Sequence, residues 1–311
     1  MIVYGPVPSR RLGRSLGVNH VPPKTCSYSC VYCQLGRTDQ MTCERRKFYD
    51  PVHIAELVEE KLSNLQEEVD YVSFVPDGEP TLDVNLGEEI ELVNGLGIKT
   101  AVICNSSLIW REDVRNDLCK ADWVSLKVDA VTDEMWRRVD RPHGKLRLEN
   151  ILDGLISFKE DYNGVLTTET MLVDGFNDVY EPEKVADFIR EIDPDISYVA
   201  LPTRPPAEGW VKPAKEEAVN RAYQVFSSVL DKVEYLIGYE GNAFSSSGDF
   251  EDDILSITSV HPMREDGVRD LVRSDSACWG DVDRLISENK LVELDYQDNR
   301  FYMRRISSRS H

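Results

Sequence analysis

The stretch Cys26-Ser-Tyr-Ser-Cys30-Val-Tyr-Cys33 constrains this chain most, because it sets three thiols apart by three and then two residues. A loop this tight can turn its sulfurs toward one centre, as soft thiolate ligands do for zinc or for an iron–sulfur cluster. A tetrahedral zinc site needs a fourth ligand. Cys43, His20 and His53 are the candidates, and none stands at a recognisable paired spacing. Three cysteines without an obvious fourth suit a four-iron cluster with one iron left open, and a structural zinc site is the competing reading. A disulfide framework fits poorly. The 7 cysteines are an odd count, and the opening Met-Ile-Val-Tyr-Gly-Pro has no signal-peptide pattern.

The expected compartment is therefore the reducing cytoplasm, and no apolar run approaches the roughly 20 residues of a membrane span. With 311 residues, 41% of them apolar, the chain is long enough for about two domains with real cores. A net charge of −20 argues against a general nucleic-acid or anionic-membrane binder, DNA included. The charge is uneven, however. Residues 1–47 carry a net +6 and residues 136–147 a net +4. Two basic islands, one around the cysteines, fit an anionic ligand or partner such as tRNA, or a solvated surface neutralising acidic neighbours.

Apolar runs over 16–19, 71–75, 99–104, 123–128, 165–172 and 197–201 read as six strands. Helical periodicity lies between and after them, over 52–66, 85–95, 111–120, 148–160, 182–192 and 215–231. This alternation predicts a parallel α/β sheet with right-handed crossovers. Six units are too few for a closed eight-stranded barrel. Residues 1–237 are read as this body, 238–250 as a Gly/Ser-rich linker and 251–311 as a second domain. In the latter, helices over 252–260, 265–272 and 276–288 precede a strand, a turn at 297–300 and a strand, an order like that of a winged helix. Its presumed recognition helix carries Asp281, Asp283 and Glu288 against Arg284, so a protein or peptide partner fits better than DNA.

With Tyr32 just before the last cysteine, the motif resembles that of the radical S-adenosylmethionine (SAM) superfamily. The resemblance implies a (β/α)6 partial barrel and a [4Fe–4S] cluster on Cys26, Cys30 and Cys33. It also implies SAM as cosubstrate and an external one-electron reductant of the ferredoxin or flavodoxin type. Gly78-Glu79 would contact the SAM amino group, although Asp77 stands where the family often has glycine, and Asp-Gly-Glu-Pro would make a strand-ending turn in any case. Asn105 and Ser106 follow the third strand and would reach the ribose or carboxylate. Lys127 and Asp129 share one strand face, as a SAM or substrate contact or as a structural ion pair. Arg204 would line the mouth, and His143 could act as a base. Cys43 and Cys104 are read as core thiols, with a radical relay as the alternative. The run from Gly5 to Gly13, with Gln34-Leu-Gly36 after the cysteines, resembles small archaeal and bacterial Fe–S oxidoreductases related to wyosine-type tRNA-modifying enzymes. The expected activity is radical SAM chemistry on an undefined substrate. A non-catalytic, metal-stabilised interaction module is the alternative.

Overall fold

The computed structural model describes residues 2–65, 68–236, 248–260, 262–296 and 298–305. β1 (Val3–Ser9) and β2 (Gly13–Val18) form an antiparallel hairpin, and the short parallel pair β3 (Thr25–Cys26) and β4 (Gln40–Met41) brackets the cysteine loop. α1 (Pro51–Asn64) begins where its sequence says it should. The Asp50 carboxylate accepts from Val52 N at 3.0 Å, Pro51 occupies the first turn, and Ile54 and Val58 are buried. There follow β5 (Tyr71–Phe74), α2 (Leu86–Asn94), β6 (Thr100–Cys104), α3 (Glu112–Leu118), β7 (Trp123–Lys127), α4 (Asp133–Val139) and α5 (Leu148–Asp161). β8 (Val165–Met171), α6 (Asn177–Tyr180), α7 (Pro182–Ile192), β9 (Ile196–Ala200), α8 (Glu216–Val229) and β10 (Val233–Leu236) complete the body.

These strands make one curled eight-stranded sheet in the order β1-β2-β5-β6-β7-β8-β9-β10, parallel from β2 onward. It is the expected α/β partial barrel with a strand added at each edge. β1 is hidden in the sequence because Pro6 and Pro8 interrupt it, which an edge strand tolerates. β10 has only four residues and no apolar run. The even-numbered side chains Val72, Phe74, Val102, Val124 and Leu126 pack against helix residues such as Ile54, Val58, Ile90 and Val93. The opposite, inner face has its own small core of Ala101, Trp123, Tyr198, Ala200 and Leu236, closed by Leu12 from the β1–β2 turn.

α9 (Phe250–Val260), β11 (Met263–Arg264), α10 (Glu265–Ser274), α11 (Trp279–Ser287), β12 (Leu291–Tyr296) and β13 (Asn299–Arg304) form a second unit around a three-stranded antiparallel sheet, β11-β13-β12. Its core, including Ile254, Met263, Leu271, Val282 and Tyr302, is separate from that of the barrel, though Val7 of β1 packs against it. The Tyr296 hydroxyl donates to the Pro202 carbonyl at 2.7 Å, so the hairpin reaches the loop after β9. Most of the expected 238–250 linker, and Gln297 of the expected turn, lie outside the described residues.

Candidate functional site

The cysteine loop lies at the carboxyl end of the sheet, where open α/β folds gather ligands. Backbone bonds fix it from several sides. Val31 N donates to Val139 O at 2.9 Å, Thr42 N to Cys26 O at 3.0 Å and Glu79 N to Thr25 O at 3.0 Å. The last bond seats the Gly78-Glu79 turn on the base of the loop. A Cβ on Gly78 would fall 2.2 Å from the Thr25 carbonyl oxygen, so this approach demands glycine. Asp77 has no positive φ, and its carboxylate and backbone N–H exchange hydrogen bonds with the Asn19 amide, both at 2.9 Å. Its side chain is thus accommodated where a glycine was expected.

Glu79 is 1% exposed and fully engaged. One oxygen accepts from Thr81 N at 3.1 Å and Thr81 Oγ1 at 2.5 Å, the other from Asn105 N at 2.8 Å. Burial pushes its pKa up to about 7 against these bonds. Asn105, so held, donates through Nδ2 to Ser27 Oγ at 2.9 Å and lies 3.4 Å from Cys26 Sγ. Ser106 follows, buried, in the left-handed region at φ 64°. Of the residues singled out from sequence, Cys26, Gly78, Glu79 and Asn105 therefore form one bonded unit.

Lys127 and Asp129 belong to a second unit with Tyr32. The Tyr32 hydroxyl donates to Asp129, which also accepts from Met171 N at 2.7 Å. Lys127 Nζ lies 4.9 Å from the centre of the Tyr32 ring and 3.8 Å from Asp129, but its close partner is Glu169 Oε1 at 2.6 Å. Glu169 falls within the strand expected over 165–172, where the sequence alone assigns it no role. The register Lys127↔Glu169 is the signal that pairs them. Arg11, from the β1–β2 turn, also donates to Glu169. Asp140, which the sequence places inside a basic island, accepts from Cys30 Sγ at 3.4 Å and lies 3.5 Å from the Tyr32 hydroxyl.

The other expected residues disperse. Arg204 binds Gln34 at 2.7 Å, and Cys104 is buried. His143 Nδ1 accepts from Lys145 N at 3.2 Å and stands 3.5 Å from Cys43 Sγ. His20 is buried against the Pro80 carbonyl, and His53 sits beside Glu56 on α1. The proposed fourth zinc ligands are thus engaged elsewhere. The basic islands are largely neutralised in pairs. Arg45 binds Asp113 and Asp117, Arg137 binds Asp133, Arg138 lies near Glu134, Lys145 binds Glu44, and Arg37 and Arg141 share Glu208.

The donor set fits a cluster better than a single ion. Among the described residues no three His, Cys, Asp or Glu side chains converge as one ion requires. A cubane, by contrast, spreads its protein ligands over separate irons. Burial pushes the Cys26 thiol up to about 12, with the Glu79 charge adding to it, and raises Cys30 and Cys33 too, Asp140 helping at Cys30. Burial and the neighbouring carboxylates thus favour the neutral thiols, and a positive inorganic core bound between them would offset this by favouring the thiolates.

Residues 21–189 match the radical SAM superfamily. A UPF0026 protein of Methanocaldococcus jannaschii is 47% identical over 99% of this chain and 97% of its own length. Streptococcus suis SuiB bound to S-adenosylmethionine superposes with a TM-score of 0.53 at 16% identity, over 74% of this chain and 53% of SuiB, a likeness of fold. Archaeal TYW1 superposes with a TM-score of 0.48 at 18% identity, over 70% of this chain and 72% of TYW1.

Proposed function

This chain belongs to the radical SAM superfamily, and from that premise we propose that Cys26, Cys30 and Cys33 hold its [4Fe–4S] cluster beside a SAM site built from Gly78, Glu79, Asn105 and Ser106. Members of the superfamily work with such a cluster, SAM and an external reductant. Cys26, Cys30 and Cys33 would hold the cluster, which would supply the one-electron reduction of SAM that yields methionine and a hydrogen-abstracting 5′-deoxyadenosyl group. The observation that carries the site assignment is the hydrogen-bonded run from the cysteine loop through Thr25, Glu79 and Asn105 back to Cys26.

The chain's own residues do the positioning. Gly78 lets the turn approach the loop, and Glu79 uses its carboxylate to hold Asn105 at the cysteines. Tyr32 and Lys127 line the adjoining inner wall, with Asp129 orienting the tyrosine. Because the islands are paired with carboxylates, a small molecule or peptide fits as substrate better than tRNA. We read residues 251–311 as a winged-helix-like domain, supported by its element order and separate core. Arg284 on α11 is drawn to Glu251, Asp281 and Glu288, which leaves no basic recognition face there.

Anaerobic reconstitution with iron and sulfide tests the proposal. Protein given SAM and dithionite is expected to form 5′-deoxyadenosine, and Cys30→Ala to reduce this by at least about a hundredfold. Colourless, zinc-loaded protein inert to SAM would favour the metal-stabilised interaction module instead.

A further inference from the structure

Among the described residues, the inner face of the sheet holds two buried donors without a hydrogen-bond partner, Arg11 Nε and Ser125 Oγ. Arg11 enters it from the β1–β2 turn, with Leu12 beside it closing the inner core. The guanidinium gives Nη1 to Glu169 Oε2, while Lys127 Nζ takes Glu169 Oε1 at 2.6 Å. Both oxygens of this carboxylate are thereby engaged. Asp129, the neighbouring acid, already accepts from Tyr32 and Met171 N. The Nε–Nη2 edge of Arg11 has no partner among the described residues, although Nε is buried. That edge presents two parallel N–H groups and matches a carboxylate bidentately.

Two further donors share the face. Ser125 alternates with Trp123 and Lys127 on β7, is 1% exposed, and its Oγ is buried without a partner among the described residues. Tyr198 stands opposite Glu169 in the β8–β9 register. Burial, with Glu234 adding to it, holds the Tyr198 phenol protonated up to about 12, against the pull of Arg11. A buried donor left unmade costs about 1–3 kcal/mol, more for a charged group, so Arg11 Nε and Ser125 Oγ are poorly explained as packing alone.

We propose that the inner face binds a carboxylate of the substrate on the Nε–Nη2 edge of Arg11, with Ser125 and Tyr198 as accessory donors and Glu169 as the residue that fixes Arg11 and Lys127. This deepens the radical SAM reading and rests on it. It names the substrate class as a carboxylic acid whose carboxylate enters the concave face from the cluster end.

The probe is 13C-labelled acetate, titrated by NMR into reconstituted holoenzyme saturated with SAM, with acetamide as the neutral isostere. Acetate is expected to bind saturably and at least about tenfold more tightly than acetamide. Arg11→Gln should weaken acetate at least about tenfold, and Arg11→Lys, which keeps the charge but loses the fork, should fall between. Should Arg11→Gln fail to fold, Ser125→Ala decides, with a loss of about threefold or more expected. Equal binding of acetate and acetamide, or unchanged acetate affinity in the variant that folds, overturns the proposal. So does an Arg11 variant that loses SAM and acetate equally, since the edge would then serve SAM. Formation of 5′-deoxyadenosine by the same wild-type preparation tests the radical SAM reading separately.

Discussion

Glu89, on the buried side of α2, has neither carboxylate oxygen hydrogen-bonded among the described residues. His20 Nε2 is 3.9 Å away, but it faces the Pro80 carbonyl, and burial pushes its pKa down to about 4, so it is neutral at pH 7. Burial first, then the charges of Asp83, Glu88 and Asp117, push Glu89 up to about 9. Between its ordinary value and that one the native state keeps a proton the unfolded chain has lost, so stability falls as pH rises. From pH 7 to pH 9 His20 is neutral in both states, while Glu79 and the buried thiols contribute in the same direction, so the difference between wild type and Glu89→Gln is what reports Glu89. Urea denaturation should show wild-type stability dropping by on the order of 1 kcal/mol per pH unit, and Glu89→Gln should flatten the slope. A slope as steep in the variant as in wild type assigns it to those other groups. Gly78 gives a second prediction at this scale. Gly78→Ala drives a methyl into the Thr25 carbonyl, and is expected to cost about 1–3 kcal/mol and to lower iron retained per chain after gel filtration. Normal stability and iron would mean that the loop and turn separate freely.

At the level of elements, the strands that carry the site were legible because each is an apolar run bounded by turn residues. The cysteines, the Gly-Glu turn and Asn105 follow such runs directly. What stayed hidden depends on pairing between distant segments. Glu169 gains its meaning from lying beside Lys127 on the next strand, and Arg11 from a hairpin whose prolines obscured it. α4 was missed because its Arg137 and Arg138 read as part of a charge island, while Met135, Trp136 and Val139 bury its apolar side. Asp140 ends that helix, and so went unnoticed beside Cys30. The segment after β9 is likewise silent in the sequence beyond Arg204. In fact Glu208 N donates to Val31 O at 3.2 Å, and its carboxylate binds Arg37 Nε at 2.8 Å and also Arg141. Arg37 first and Arg141 next hold that carboxylate down to about 2, so the clasp stays charged at neutral pH. Glu208→Gln should therefore loosen this segment. Limited proteolysis is expected to cut within 201–214 several times faster than in wild type. An unchanged cutting rate would show that Val211, packed with Val31 and Val173, holds the segment by itself.

For the whole molecule, the question is whether the basic islands amount to a nucleic-acid surface on a chain of net charge −20. The distribution alone left that open, since six excess positive charges lie in residues 1–47. Three-dimensional pairing answers differently. The Arg45 side chain is 4% exposed and is bound to Asp113, Asp117 and the carbonyls of Thr81 and Asp83, so it braces the loop behind the Glu79 turn. Arg11 points into the sheet, and Arg137, Arg138 and Arg141 each have a carboxylate nearby. A phosphate backbone approaching this face would have to displace those acids while meeting the long-range repulsion of the chain. Counterion release then supplies little, because few phosphates are neutralised. Binding of a fluorescent single-stranded RNA, followed by anisotropy against salt, is expected to be weak. The slope of log K on log salt should be below about 2 in magnitude, meaning no more than about two or three phosphate contacts. Arg45→Ala with Arg46→Ala should leave that slope unchanged and lower stability instead, since Arg45 is a brace. A slope of about 4 or more that shrinks in this double variant would restore RNA as the substrate class, because only phosphate contacts made by those side chains would produce it.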